Sequence, residues 1–157
     1  MKSRIILNLA ILSLLIGGII CAEEIGGTLG GACSYESIPG TCKIISITKT
    51  NESTRQAMIS GGPGYEGYVI HFIFSPSQEK QENSKVSPDY RANIIEKEHT
   101  LQLTNSWYPG DKFLEKYKIE VGKIFNCVMG LITRGSCSPV IFEFPDINTS
   151  DYFETKK

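Results

Sequence analysis

The sequence predicts a mainly β domain, and three stretches of the chain carry that prediction. Residues 124–145 hold two runs in which apolar side chains recur at every second position. This alternation is typical of half-buried strands, and the small polar break at residues 133–136 fits a hairpin connection. Residues 42–48 and 68–74 are rich in β-branched and aromatic side chains, which favour strands. Apolar and polar side chains also alternate at residues 99–104, which predicts a further strand and brings the total to five.

Short helices and turns fill the spaces between these strands. Pro39 and Gly40 form a turn signal just before the first strand. Ser87 followed by Pro88 is typical of a helix start, so a short helix is expected there. Asp111 is the predicted N-cap of a second helix at residues 112–118. The remaining connections are expected to be irregular.

The order of the predicted elements is strand, strand, strand, helix, strand, strand. This order is similar to that of the OB fold, a five-stranded Greek-key barrel, over residues 42–144. The resemblance rests on element order alone and implies a small five-stranded antiparallel barrel, of OB-like order β-β-β-α-β-β, with one or two short helices. A small antiparallel sandwich is the alternative. In a barrel of this kind, a ligand is expected across the second and third strands.

The first 22 residues have the pattern of an export signal. Lys2 and Arg4 are followed by an uncharged, largely apolar run at residues 5–22. We expect cleavage after Ala22, although a run of this length also allows an uncleaved membrane anchor. Lipidation of Cys21 is a third possibility, which the bulky Ile20 directly before it disfavours. The chain is therefore expected to be secreted, periplasmic or displayed at the cell surface, or else attached to a membrane through residues 5–22.

The rest of the chain divides into three parts. Residues 23–32 are a glycine-rich tether, residues 33–147 a single β-rich domain, and residues 148–157 a polar C-terminal tail that is expected to fray. Asn51 and Asn148 each open a glycosylation sequon, which is used only if the host glycosylates exported chains.

The charge of the exported part excludes one class of partner. The chain has 16 Lys and Arg against 17 Asp and Glu, and the signal segment removes two of the positive charges. The remainder is mildly acidic and contains no basic run interleaved with aromatic residues. A nucleic-acid partner is therefore not expected, and apart from attachment to a membrane through the N-terminal segment the partner is left unassigned.

An even number of cysteines remains after the signal: Cys33, Cys42, Cys127 and Cys137. In an exported domain this predicts two disulfides. The spacings of eight and nine intervening residues lack the short knuckles of structural zinc sites, so neither a metal nor another cofactor is expected.

The predicted hairpin bears on how the cysteines pair. With a turn at residues 133–136, Cys137 lies opposite Ile132 and Cys127 opposite Phe142, which is out of register for a direct bridge. Bridges from the two N-terminal cysteines to the hairpin are favoured for this reason. A wider turn would leave a local bridge between Cys127 and Cys137 open.

No stretch of the sequence carries a recognisable catalytic constellation. The expected function is that of an exported, non-catalytic β domain, binding or structural, at the cell surface or outside the cell. Trp107 and Tyr108 are the candidate ligand-binding residues, as a stacking platform for a sugar or a peptide. The alternative for Trp107 is a plug at one end of the core.

The histidines support an enzyme only weakly. His71 reads as a strand residue among apolar neighbours. The alternative function is a small secreted hydrolase, in which Glu143 or Asp146 would lie beside His99 as an acid–base pair. Nothing in their spacing brings these groups together, and Glu143 is expected to face solvent from the second strand of the hairpin.

Overall fold

The computed structural model describes residues 33–77, 86–95 and 97–151. The predicted signal, Cys21, the glycine-rich tether and the last six residues of the tail lie outside these ranges. Nine elements are present in the described part of the chain: β1 (Ser34–Thr48), α1 (Asn51–Arg55), a 3-10 turn (Gln56–Met58), β2 (Val69–Pro76), α2 (Pro88–Ile95), β3 (Glu98–Thr100), α3 (Asp111–Tyr117), β4 (Ile124–Arg134) and β5 (Val140–Glu143).

The five strands form one antiparallel sheet in the order β3-β2-β1-β4-β5, curled into a half-barrel. The long strand β1 pairs with β2 on one side and β4 on the other, so it organises the whole sheet. The last predicted helix lies between the third and fourth strands, as α3. The prediction of a small, mainly β, barrel-like fold with short helices is confirmed.

The predicted turn at Pro39 and Gly40 is wrong, because both residues lie inside β1. The carbonyl of Pro39 accepts a hydrogen bond from the Ser77 amide at 3.0 Å, so its backbone points to the β2 side. Pairing with β2 begins only at Gly40, and the missing N–H of the proline therefore interrupts no ladder. At Gly40 a Cβ atom would lie 2.6 Å from the Phe74 ring, and this close approach requires glycine.

The hairpin prediction is confirmed, and its alternating side chains supply much of the core. The inward positions of β4 are all buried: Phe125, Cys127, Met129 and Leu131. They pack with the inward face of β2, formed by Ile70, Phe72 and Phe74, in one cluster. Glu143 is exposed, as expected. The alternation of apolar side chains was sufficient to predict these two strands, because one face of each strand meets the core and the other meets water.

Three of the smaller expectations need correction. The connection after β1 is not irregular throughout, because it contains α1 and a 3-10 turn. Strand β3 has only three residues, although Leu101 and Leu103 beyond it are buried as predicted. The N-cap of α3 is Gly110 rather than Asp111, and the carboxylate of Asp111 accepts a hydrogen bond from Tyr68 instead.

Two disulfides join β1 and the residue that precedes it to the β4–β5 hairpin. Cys33 is joined to Cys137 and Cys42 to Cys127, so both bridges run from the N-terminal pair to the hairpin. The β4–β5 register differs from the predicted one, since Met129 rather than Cys127 lies opposite Phe142. The two disulfides indicate an oxidising, extracellular or periplasmic environment.

The start of the C-terminal tail is attached to the domain. The Thr104 amide donates to the Thr149 carbonyl at 3.1 Å. Asp151 accepts hydrogen bonds from Lys116 and Tyr117 of α3. The described tail residues therefore contact the domain through Thr149 and Asp151. Among the helices of the described ranges, none has the length and apolar character needed to cross a membrane.

Candidate functional site

A cleft of about 550 Å³ opens where the β1–β2 connection meets the loop that leads from β3 to α3. We call it the Trp107 cleft. Its volume lies within the range of small-molecule sites, about 300–1,000 Å³. Its walls come from α1 and its cap, from the neighbouring ends of β2 and β3, and from the β3–α3 loop. The lining residues are Thr50, Asn51, Glu52, Val69, Thr100, Leu101, Gln102, Ser106, Trp107 and Tyr108.

Trp107 lies in this cleft rather than in the core. It is partly buried, but it is not among the described residues that form the core cluster or pack against it. Its backbone amide donates to the side-chain oxygen of Asn105 at 3.1 Å. Ser106 has a left-handed φ of 66°, which a non-glycine residue rarely adopts. A tight turn thus fixes the position from which the indole projects.

The side chain of Gln56 holds the neighbouring residue, Tyr108. Its amide nitrogen donates to the Tyr108 carbonyl at 3.1 Å, and its amide oxygen accepts from the Tyr108 N–H at 2.9 Å. This pair of hydrogen bonds copies the exchange between two paired strand residues. Gln56 is only 1% exposed, so the bonds are sheltered from water. The 3-10 turn and the β3–α3 loop are joined in this way.

Helix α1 carries the acidic wall of the cleft. A capping box fixes its start, because the Thr50 hydroxyl accepts from the Ser53 amide and the Ser53 hydroxyl accepts from the Thr50 amide. Glu52, in the first turn, accepts a hydrogen bond from the Tyr108 hydroxyl at 3.2 Å. Partial burial and this carboxylate raise the pKa of the Tyr108 phenol above its usual value. The phenol therefore stays protonated and continues to donate.

Two other clefts flank β5, and the phenylalanine rings that line both of them belong to the core cluster or pack against it. The larger cleft is also lined by Tyr35, whose hydroxyl donates to the Ser138 carbonyl at 2.9 Å. One, of about 780 Å³, lies beside β5 and the segment that follows it. The other, of about 460 Å³, lies between β3 and β5 at the open side of the half-barrel. Both are lined by Phe142 and Phe144, which pack edge-on against Phe72. Those rings belong to the core cluster or pack against it, whereas Trp107 is not among the described residues that do so.

The histidines make structural contacts. The His99 ring lies 4.5 Å from that of Phe142 and 5.6 Å from that of Phe72, with Nε2 2.9 Å from the Ile94 carbonyl. Burial lowers the pKa of this imidazole, against the opposing effect of the Ile94 carbonyl. Among the described residues that contact the ring, neither Glu143 nor Asp146 appears. His71 is exposed in part, with Thr100 at 3.5 Å from its Nδ1.

Metal-binding geometry is missing from the described ranges, where no three histidine, cysteine or acidic side chains converge. The four cysteines of the domain are used in disulfides.

The structure places both sequence-predicted binding residues, Trp107 and Tyr108, in one cleft. The sequence reasoning missed the residues that face and support them, namely Asn51, Glu52 and Gln56. They lie about fifty residues earlier in the chain, and their proximity results from the fold. The spacing of Thr50 and Ser53 was an available sign of a helix there. Comparisons with family models, curated proteins and solved structures find no match for this chain.

Proposed function

We propose that this chain is an exported, non-catalytic binding domain that takes up a small ligand in the Trp107 cleft. The single observation that carries the proposal is the position of Trp107. The only tryptophan of the chain lies on a fixed turn outside the core cluster and lines a cleft of ligand size. Large aromatic side chains are normally used to build cores or interfaces, so a tryptophan kept out of the core favours a role in recognition.

Export is part of the proposal, and two features support it. The two disulfides require an oxidising compartment to form and persist. The first 22 residues have the composition of an export signal. In this view the sheet and its two bridges serve as a rigid support for the cleft, either at the cell surface or outside the cell.

A fragment screen followed by NMR tests the proposed function, and it requires no assumption about the class of ligand. The protein is expressed through an oxidising compartment so that both disulfides form. Because the chain has one tryptophan, its indole N–H gives one assigned signal. We expect the fragments that bind to shift this signal. The Trp107→Ala variant should no longer bind these fragments.

The control for this screen is the cleft between β3 and β5. Phe142→Leu changes that cleft at a residue that does not line the Trp107 cleft, although the two clefts share Thr100 and Gln102. Fragments that bind the wild type should therefore still bind this variant. Fragments that shift only signals around β5, or a screen without binders, would contradict the proposal.

A further inference from the structure

We propose that the ligand of the Trp107 cleft is an uncharged carbohydrate, with one sugar ring stacked on the Trp107 indole. The inference rests on the proposed function and specifies the class of ligand. Three properties of the cleft lead to it: the sign of its charge, the wall amides that have no hydrogen-bond partner among the described residues, and the aromatic surface of Trp107.

The charge of the cleft disfavours anions. Among the described residues that line the cleft, Glu52 is the only ionisable one apart from Tyr108, whose phenol stays protonated. Among the described residues, no lysine, arginine or histidine lines the cleft. Phosphorylated and sulfated ligands need cationic partners or clustered backbone donors, so these ligands are excluded on chemical grounds. Uncharged and cationic ligands remain.

The amide groups favour a polyol over an apolar ligand. Asn51 and Gln102 are exposed, and neither side-chain amide has a hydrogen-bond partner within the described part of the chain. Each amide both donates and accepts, as does every sugar hydroxyl, so the two groups match. Glu52 adds a carboxylate oxygen as an acceptor for a further hydroxyl. Gln56 shows the contrast, because both ends of its amide are already bound to Tyr108.

The aromatic surface provides the apolar half of sugar recognition. The face of an indole ring is electron-rich, and the C–H groups on one side of a pyranose are slightly positive, so the two attract when stacked. The turn at Asn105 and Ser106 is held by two hydrogen bonds. The Asn105 side chain accepts from the Trp107 amide at 3.1 Å, and the Ser106 amide donates to the Leu103 carbonyl at 2.9 Å. A platform fixed before binding lowers the entropy cost of association.

A quaternary ammonium ligand is the competing class, because it also suits aromatic rings beside a carboxylate. Such ligands are held by several aromatic faces that form a cage. The described residues that line the Trp107 cleft include two aromatic ones, and the hydroxyl of Tyr108 donates to Glu52, the carboxylate that would face the cation. The uncommitted amides of Asn51 and Gln102 would have no role in such a complex. These features favour the sugar.

Titration monitored by the single tryptophan tests the inference. The probes are neutral hexasaccharides built from glucose, mannose or N-acetylglucosamine, with tetramethylammonium and a sulfated heparin hexasaccharide as comparisons. We expect at least one neutral saccharide to change the Trp107 emission saturably at millimolar concentration or below. By calorimetry, Trp107→Ala should weaken that binding roughly tenfold or more, as loss of a central aromatic contact does.

Gln102→Ala and Glu143→Gln are the matched variants for this titration. Gln102 lines the Trp107 cleft and also the cleft between β3 and β5, so its truncation should weaken saccharide binding by a few-fold. Phe142→Leu, which of these two clefts changes only the second, separates the two sites. Glu143 is exposed on β5, away from the Trp107 cleft, so its variant should bind like the wild type.

The other outcomes of the titration would overturn the inference, and each has a different consequence for the proposed function. Binding of tetramethylammonium alone, or of the heparin hexasaccharide alone, would replace the carbohydrate by a cation or an anion, while the cleft would remain a ligand site. If no probe binds but fragments still shift the Trp107 indole, the ligand class is wrong and the proposed function stands. If the fragments also fail, both are wrong.

Discussion

At the scale of single residues, His99 shows how burial turns an ionisable group into a structural one. Its ring packs against those of Phe72 and Phe142, which also contact each other. Burial lowers the pKa of the imidazole below its usual value of 6.5, and Lys97 adds a small effect in the same direction. The neutral ring is therefore the form that the fold accommodates.

The first prediction is a loss of stability in mild acid that depends on His99. Between the lowered folded pKa and 6.5, the unfolded chain binds more protons at this group than the folded one. The contribution of His99 to the free energy of unfolding is therefore complete above about pH 6.5 and decreases as the pH falls. Urea unfolding from neutral pH to about pH 5 should show a steeper decline for the wild type than for His99→Gln.

The titration of Asp151 does not interfere with this comparison of the wild type and His99→Gln. Its pKa is held below 3.8 by Lys116 and Tyr117, so it titrates at lower pH. Parallel stability curves for the wild type and His99→Gln would show that the imidazole is not sheltered as described.

At the scale of elements, the cleft depends on a contact between two connections that are far apart in the sequence. Gln56, in the 3-10 turn, bonds both backbone groups of Tyr108, in the β3–α3 loop. Gly67 allows the close approach, since a Cβ there would lie 2.4 Å from the Cβ of Tyr108. The Tyr68 amide also donates to the Pro109 carbonyl at 2.8 Å, on the other side of the same loop.

The second prediction concerns this contact between Gln56 and the backbone of Tyr108. Gln56→Ala leaves the N–H and C=O of Tyr108 without side-chain partners, which should cost about 1–3 kcal/mol of stability. The Trp107 emission should also shift, because the loop that carries it loses a support. The matched control is Gln102→Ala, which removes an exposed amide without a partner among the described residues and should change stability by about 0.5 kcal/mol or less. Equal effects of the two substitutions would contradict the positioning role of Gln56.

Elements differ in how far the sequence could predict them. The strands of the hairpin were predicted because one face of each is buried, and burial imposes a period of two on the sequence. The N-terminal half of β1 was missed because proline and glycine normally mark a turn. They fit a strand here because Pro39 lies just beyond the end of the β2 ladder and the Phe74 ring lies close to Gly40. Helix α1 was missed because five residues are too few to show a helical period.

The candidate site was predictable only in part, for a related reason. Trp107 and Tyr108 could be named as aromatic residues beside a turn, since that is a local property of the sequence. Glu52 and Gln56 could not be assigned to the same site, because only the pairing of β1, β2 and β3 brings their connections together. Contacts between distant loops depend on strand register, which local patterns do not specify.

At the scale of the whole molecule, two disulfides attach the first strand to the last hairpin. They close segments of 104 and 85 residues, and such long loops give the largest entropic stabilisation of the folded state. The two bridges differ in accessibility. Cys42 and Cys127 are 0% and 2% exposed. In the other bridge Cys33 is also buried, at 5%, but Cys137 lies in the exposed connection between β4 and β5, so this bridge can be reached from the Cys137 side.

The third prediction is that the bridges are reduced in a fixed order. In the native state, a thiol reductant should open Cys33–Cys137 first and leave Cys42–Cys127 intact until the domain unfolds. Loss of the first bridge should lower stability by about 2–4 kcal/mol. Alkylation of the released thiols followed by peptide mass mapping reports the order.

A double variant is the control for the reduction experiment. Replacing Cys33 and Cys137 by serine should give the same stability loss as the first reduction step and retain the buried bridge. Simultaneous reduction of both bridges in the folded protein would contradict the described difference in accessibility.

The central claim is that Trp107 serves the cleft rather than the core, and its truncation tests this most directly. Urea unfolding followed by circular dichroism compares Trp107→Ala with Phe72→Ala, which empties a fully buried core position. The core variant should lose about 3–5 kcal/mol. We predict that Trp107→Ala loses less than about 2 kcal/mol, because it removes only a partly buried side chain. A loss equal to that of Phe72→Ala would make Trp107 a plug of the core and contradict the account.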